Sequence, residues 1–303
     1  NGPVFFGVSH YHQGLDARTN LYNSDADFSG SVYRDDAYLH GCNYYGDANL
    51  SRCTYFGEAV LAGSTYMRDA AFQSSVYYGY ASLSSRCREH ADFSHCVYFS
   101  DMDMYDSQYR GYTDFTHCVY YGNANFGASS YEGTVSFSGS TYLSEAVFRG
   151  SVYRCAATFN DSVYQYWVDL RGSTYQGAAD FGGSAYQYWA DFRGSTYRRW
   201  AYFNDSICCG WAGLSHSVYE GEADFSGSIF CSDIYFGQDG DNSSFSRFTD
   251  CTPQFYDETN HKNALFGSHN NNFTVENSRG YPVYRGFEGL PLGCCFLAEA
   301  QKE

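Results

Sequence analysis

Proline is scarce in this chain: four in 303 residues, at Pro3, Pro253, Pro282 and Pro291, with none between residues 26 and 236. Proline has no N–H to give to a ladder, so the long gap suits continuous backbone pairing. Basic charge is scarce too. The 18 Lys and Arg against 34 Asp and Glu leave a net charge of −16, which argues against a nucleic-acid-binding face. No apolar run approaches the ~20 residues that a membrane-spanning helix needs. The 31 glycines show no Gly-X-Y period, which excludes collagen. No Ser-His-Asp set, P-loop or glycine-rich nucleotide signature occurs in a supporting context, so no catalytic residue, metal or cofactor is assigned. The chain begins at Asn1, which reads as a processed product that has lost a signal peptide, or as a fragment.

What is abundant is aromatic: 32 Tyr and 25 Phe, the composition of a chain with a core to bury. These rings are periodic. From ADFSGSVYRDD (26–36) onward, 11-residue units follow one another to Phe236, twenty starts in all, with one ten-residue unit around RCREH (86–90). The first column holds Ala in fifteen of twenty units, and two residues on come thirteen Phe, six Leu and Met104. Three further on is a small column of Ser or Cys, with Arg86 in the short unit. Two beyond that, Tyr fills sixteen of nineteen positions, interrupted by Arg88, Cys208 and Phe230. Small-x-large is a strand period of two, and no helical period fits. Such triplets are too short to be stable alone but become so when stacked on neighbouring coils. The expectation is an all-β solenoid, with Phe28, Tyr33, Phe181, Tyr186, Phe192 and Tyr197 as typical inward ladder residues.

The segments ADFSG (26–30), ANLSR (48–52), ADFSH (91–95), ADFGG (179–183), ADFRG (190–194) and ADFSG (223–227) resemble the A-(D/N)-(L/F)-x-x motif of pentapeptide-repeat proteins. The likeness covers about two-thirds of the chain, and it implies a right-handed, four-sided β-helix with Asp or Asn outward. The chain departs from that pattern in its second half-unit, which carries Ser and Tyr and is one residue longer. Coils of 11 or of 22 residues fit the period. Trp167, Trp189 and Trp211 recur at 22, as do His95-Cys96 and His117-Cys118, whereas Cys42 and Cys53 lie 11 apart. The 22-residue coil is favoured, giving about ten coils and a rod of about 48 Å at ~4.8 Å per strand.

Residues 1–25 read as an N-terminal cap or an assembly segment, with Val4, Phe5 and Phe6 as contact residues, and 237–303 as a non-repetitive cap or interaction region. Tyr166, Trp167, Tyr188, Trp189, Trp200 and Trp211 fall at outward positions and suggest a self-association or carbohydrate-binding face. Cys96 with Cys118 and Cys209 with Cys231 lie at disulfide-compatible spacing, the alternative being small buried residues in place of Ser. Asn49, Asn160, Asn204, Asn242 and Asn272 begin N-x-S/T sequons. His10, His12, His95 and His117 are weighed as metal ligands, and Asp180, Asp191 and Asp224 as a Ca²⁺ column; solvated or core-satisfied side chains are preferred for both. The function expected is that of a secreted structural protein, a self-assembling subunit of an extracellular filament, sheath or matrix, with no enzymatic activity. An ice- or carbohydrate-binding solenoid is the alternative, on outward Thr54, Thr65, Thr141, Thr174 and Thr196. The family likeness adds a third reading, an acidic DNA mimic acting on a topoisomerase.

Overall fold

The structure, a computed structural model, describes residues 3–237 and 245–297. It is all-β: short parallel strands stack into a β-solenoid that advances 22 residues per turn, as the pairing of Thr54 with Val32 and with Val76 shows. The chain forms two compact units, Asn1–Cys155 and Ala156–Glu303.

In the first unit 28 strands, four to a turn, make seven turns. Each turn has four sides, for example Ala26–Asp27, Val32–Tyr33, Ala37–Tyr38 and Asn43–Tyr44. Successive turns are joined by backbone bonds such as Thr54 N–H to Ser31 O (2.9 Å) and Phe28 N–H to Asn49 O (2.7 Å). The period-two alternation decides the facing: Ala26, Phe28, Ser31 and Tyr33 are buried, while Asp27 and Val32 lie at the surface. Like rings then stack on like rings. Tyr33, Tyr55 and Tyr77 are 4.6 and 4.9 Å apart between centroids. Phe115 and Phe137 stack at 4.9 Å, and Phe126 from the opposite column meets both edge-on, at 72° and 75°. Such pairs add about 0.5–1.5 kcal/mol each beyond their burial.

The corner after most of the inward Phe and Leu residues uses a left-handed residue. Gly30 (φ 65°), Gly41 (φ 67°), Arg52 (φ 56°), Gly63 (φ 70°) and Ser74 (φ 59°) occupy it in consecutive units. A residue with a side chain pays roughly 1–2 kcal/mol to adopt that conformation, which explains the frequent Gly. The Asp or Asn before the corner supports it, Asp27 Oδ1 accepting the Ser29 N–H at 2.9 Å.

Two sequence expectations are corrected here. The ten-residue unit does not put Arg86 and Arg88 inward: Ser64 pairs with Ser85, Thr65 with Arg86 and Tyr66 with Cys87. The residue lost is the left-handed corner residue, so Ser85 and Cys87 fill the buried columns. Two arginines stay in water, where their desolvation is avoided. The repeat also starts earlier than residue 26. Val4 pairs with Ala26, His10 with Val32, Leu15 with Ala37 and Leu21 with Asn43, so residues 4–22 are a coil in full register. Phe6, Ser9, Tyr11 and Tyr22 sit on the expected columns; Val4 and Leu15 in place of Ala hide the pattern.

The second unit repeats the same four-sided turn through Ile234–Tyr235. Its later residues are less regular but still buried in the stack: Phe248 lies on Tyr219 (4.5 Å), Phe255 on Phe225 (5.1 Å) and Phe266 on Phe230 (5.4 Å). Phe273 closes against Phe266 at 5.3 Å.

Around Ser75 the serine column serves the corner backbone and not the tyrosine hydroxyls, whereas Ser85 Oγ lies 3.2 Å from the Tyr109 hydroxyl. Ser75 Oγ donates to Leu50 O (3.2 Å) and accepts from Cys53 N–H (3.0 Å), so it is committed to the corner backbone. Cysteine substitutes there because its thiol reaches the same carbonyl, Cys53 Sγ to Phe28 O at 3.2 Å. The Tyr33, Tyr55, Tyr77 and Tyr98 hydroxyls are buried with no protein partner. Tyr55→Phe is therefore expected to leave the melting temperature unchanged or raise it. Ser75→Ala, which orphans a buried N–H and a carbonyl, is expected to destabilise by about 1–3 kcal/mol. Thermal melts of the two variants check the contrast.

Candidate contact surfaces

In the second unit one corner carries three of the four tryptophans. Trp167, Trp189 and Trp211 follow the strands Val163–Tyr164, Ala185–Tyr186 and Ile207–Cys208 and precede Val168–Asp169, Ala190–Asp191 and Ala212–Gly213. Trp167, Trp189 and Trp211, with Arg171 and Arg193, line a shallow cleft of about 470 Å³. Asp169 and Asp191 are the outward residues of their strands, yet they are covered, at 1% and 2% exposure. The cover is arginine. Arg171 Nε and Nη2 donate to the two oxygens of Asp169 at 2.9 and 2.8 Å, and Arg193 does the same to Asp191 at 2.8 and 2.7 Å. Arg171 Nε also approaches Asp191 at 3.5 Å, linking the two turns. The Asp169 bond holds the Arg171 guanidinium above its usual range, and the Asp191 bond does so for Arg193. Both guanidinium planes lie on indoles, Arg171 over Trp167 at 5.7 Å and Arg193 over Trp211 at 5.0 Å. In the third turn Gly213 replaces Asp because the Trp211 indole lies over it, 2.2 Å from where a Cβ would be. The result is a surface of indole and guanidinium, with each arginine fork turned onto its Asp and its Cζ over an indole ring. Such a surface suits stacking against a planar or C–H-rich ligand face, with N–H donors at its border.

Beside it Tyr166 stacks on Tyr188 at 5.3 Å, and Tyr188 on Trp189 at 5.1 Å. Trp200 is on a different corner, against Tyr202, and does not join this group.

The first unit carries a second aromatic surface that the sequence reading missed. Phe56, Tyr78, Phe99 and Tyr121 stack in one line at 5.0, 4.8 and 4.8 Å, with Arg34 over Phe56 at 5.5 Å. All four rings are exposed, by 44–48%. Their signal was a ring directly after the core Tyr in alternate units, at the spacing of one turn. In the coil of residues 4–22, Phe5 (75%), Val8 (77%) and Leu21 (57%) are exposed, while Phe6 stacks on Phe28.

The remaining candidate residues scatter. The Thr residues do not form one row: in the first unit Thr54 and Thr141 share one side while Thr65 lies on another, and in the second Thr174 and Thr196 share a side. His95 and His117 are left-handed corner residues with rings stacked at 5.2 Å. His10 is exposed and His12 lies two residues on in the following corner. Asp180 accepts the Gly182 N–H and Asp224 the Ser226 N–H, each holding its own corner. Among the described residues no three His, Cys, Asp or Glu side chains gather as a metal site. All twelve cysteines are free thiols. Cys96 and Cys118 are buried and donate to Phe72 O and Phe93 O, and burial pushes the Cys118 thiol up to about 12. Cys209 and Cys231 are exposed. Asn160 and Asn204 are half-buried on one column, each bonded to the next Asp. Asn49 holds the Ser51 corner and Asn272 accepts from Thr274 N–H, while Asn242 lies outside the described residues.

Comparison of the chain with protein-family models, with curated proteins and with solved structures finds no match.

Proposed function

We propose that this chain is a non-enzymatic structural protein, the subunit of an extracellular filament, sheath or matrix that associates side by side through outward ring ladders. The observation that carries the reading is the Phe56–Tyr78–Phe99–Tyr121 line, four half-exposed rings over four consecutive turns. Contiguous apolar strips of this kind mark contact surfaces. Covering each ring contributes on the order of 1 kcal/mol, half of what full burial of such a side chain gives. A kinship with pentapeptide-repeat proteins belongs to the same proposal, supported by the ADFSG-type motifs and the four-sided turn. Secretion is supported by the surface position of Asn160 and Asn204. The test replaces Phe56, Tyr78, Phe99 and Tyr121 together by Ser and compares assembly by sedimentation and electron microscopy. Loss of association with an unchanged far-UV spectrum is expected; assemblies of normal width and yield from the variant refute the lateral contact.

A second reading has its own observation. The Trp167–Trp189–Trp211 surface, with Arg171 and Arg193 beside the indoles, suits a glycan, whose C–H faces stack on indole while its hydroxyls accept from guanidinium. Affinity electrophoresis in a panel of polysaccharides checks it: Trp189→Ala is expected to abolish any retardation shown by the parent.

A further inference from the structure

The short unit creates a basic site in an acidic protein. With the left-handed residue gone, the strand Ser85–Cys87 is three residues long and carries Arg86 outward, with Arg88 directly after it. Arg86 is paired with Gln108 on one side and Thr65 on the other. Arg88 and Arg110 hold the same position in successive turns, since Arg88 N–H bonds to Tyr66 O and Arg110 N–H to Cys87 O, both at 3.0 Å. Adjacent strands lie about 4.8 Å apart, so two guanidinium stems stand side by side, an arrangement that is unfavourable without a counter-charge. The one carboxylate that approaches is Glu132, 3.7 Å from Arg110 Nε at the far edge. Arg86 and Arg88 form no ion pair with any described residue. The three arginines, with Thr65, Gln108 and Ser130, line a recess of about 340 Å³ floored by Cys87 and Tyr109. Cys87 stands where the neighbouring turns place Tyr66 and Tyr109.

We propose that Arg86, Arg88 and Arg110 form a binding site for a phosphate or sulfate oxyanion. Guanidinium forks match the tetrahedral oxyanion edge and donate in pairs, while Thr65 and Gln108 supply neutral donors beside them. The anion supplies the charge that the Arg88–Arg110 pair lacks. The chain as a whole is acidic, with a net charge of −16, so a local arginine cluster stands out against its overall charge.

The full chain is titrated calorimetrically and melted with inorganic sulfate, with inorganic phosphate and with a sulfated polysaccharide, against chloride at equal ionic strength. Binding is expected for the parent and for Arg52→Gln, an exposed arginine elsewhere in the unit, and an at least tenfold loss for Arg88→Gln/Arg110→Gln. Without added anion, that double variant is expected to melt higher than the parent, because the like-charge contact is gone; this readout also shows that it folds. Tight binding of the free ions identifies a small anion, and binding of the polysaccharide alone identifies a polymer-borne one. Binding that survives in the double variant, or a response to sulfate no larger than to chloride with no polysaccharide binding, overturns the proposal.

Discussion

Raising the pH beyond about 10 is expected to unfold this protein within a narrow interval, with far-UV ellipticity lost as the core phenols ionise. The cause is the number of buried phenols in one stack. Burial raises the hydroxyls of Tyr33, Tyr44, Tyr55, Tyr66, Tyr77, Tyr98, Tyr109, Tyr120 and Tyr131 far above the ordinary 10.0, nine groups in the first unit alone. Tyr164, Tyr186, Tyr197 and Tyr219 are raised for the same reason in the second. A phenol with a raised folded-state pKa binds its proton more tightly in the native state. Its stabilising effect is complete below the unfolded value of about 10 and is lost as the pH rises toward the folded value. Each such group removes about 1.4 kcal/mol per pH unit in that window, so nine together remove roughly 12 kcal/mol per unit. That equals the whole stability of a typical domain, about 5–15 kcal/mol. Burial raises the thiols in the same direction, Cys53 to about 11 and Cys87 and Cys118 to about 12 from 9.0. Absorbance of the phenolate and ellipticity, followed together, check the expectation. Tyr55→Phe/Tyr77→Phe/Tyr98→Phe should make the transition shallower and move it to higher pH. Gradual ionisation with ellipticity intact to about pH 12 is incompatible with a buried tyrosine stack, given the ordinary phenol value.

The stack was legible because a two-residue alternation and a fixed repeat leave a single way to place small and large side chains inward. Phe28, Tyr33, Phe181, Tyr186, Phe192 and Tyr197 are all buried, as expected from their columns. The 22-residue turn was legible only from its decorations, since the two half-turns are alike in the core. What the sequence concealed follows from substitutions that keep the physics and change the letters. Val4 and Leu15 continue the small column in residues 4–22 with β-branched or larger side chains, so that coil looked unrelated. In the short unit a deletion can be placed at several points, and counting from the Ala column put two arginines inside. The cost of burying a guanidinium decides for the corner, where one left-handed residue can be dropped. The tryptophan surface was half legible. The indoles were visible at their spacing, but the covering role of Arg171 and Arg193 was not, because an Asp in an outward column reads as solvated until the residue two positions on folds back over it.

That folding back has a consequence for stability. Arg193→Ala is expected to destabilise the second unit more than Asp191→Ala, although both break the same pair. Removing Arg193 leaves a carboxylate that is 2% exposed, with the backbone N–H of residue 193 (3.3 Å) and Arg171 Nε (3.5 Å) as its remaining partners and no bidentate fork. Removing Asp191 leaves a guanidinium that keeps a third of its side chain in water, 33% exposed. Breaking a buried pair costs about 3–5 kcal/mol when the orphan is fully desolvated, so Arg193→Ala falls in that range and Asp191→Ala below it. Replacing both, as Asp191→Leu with Arg193→Met, is expected to recover most of the loss, because no charge remains to be desolvated and the apolar pair still covers the turn. The readout is local: all four tryptophans, Trp167, Trp189, Trp200 and Trp211, belong to the second unit, and Trp211 lies under Arg193 at 5.0 Å. Urea melts followed by indole fluorescence therefore report this unit directly. Equal midpoints for Arg193→Ala and the parent would show that Asp191 is solvated. A double variant no better than Arg193→Ala alone would show that the fork is needed for its geometry, with Nε and Nη2 held on Asp191 and the guanidinium over Trp211, and that its charge pairing contributes little.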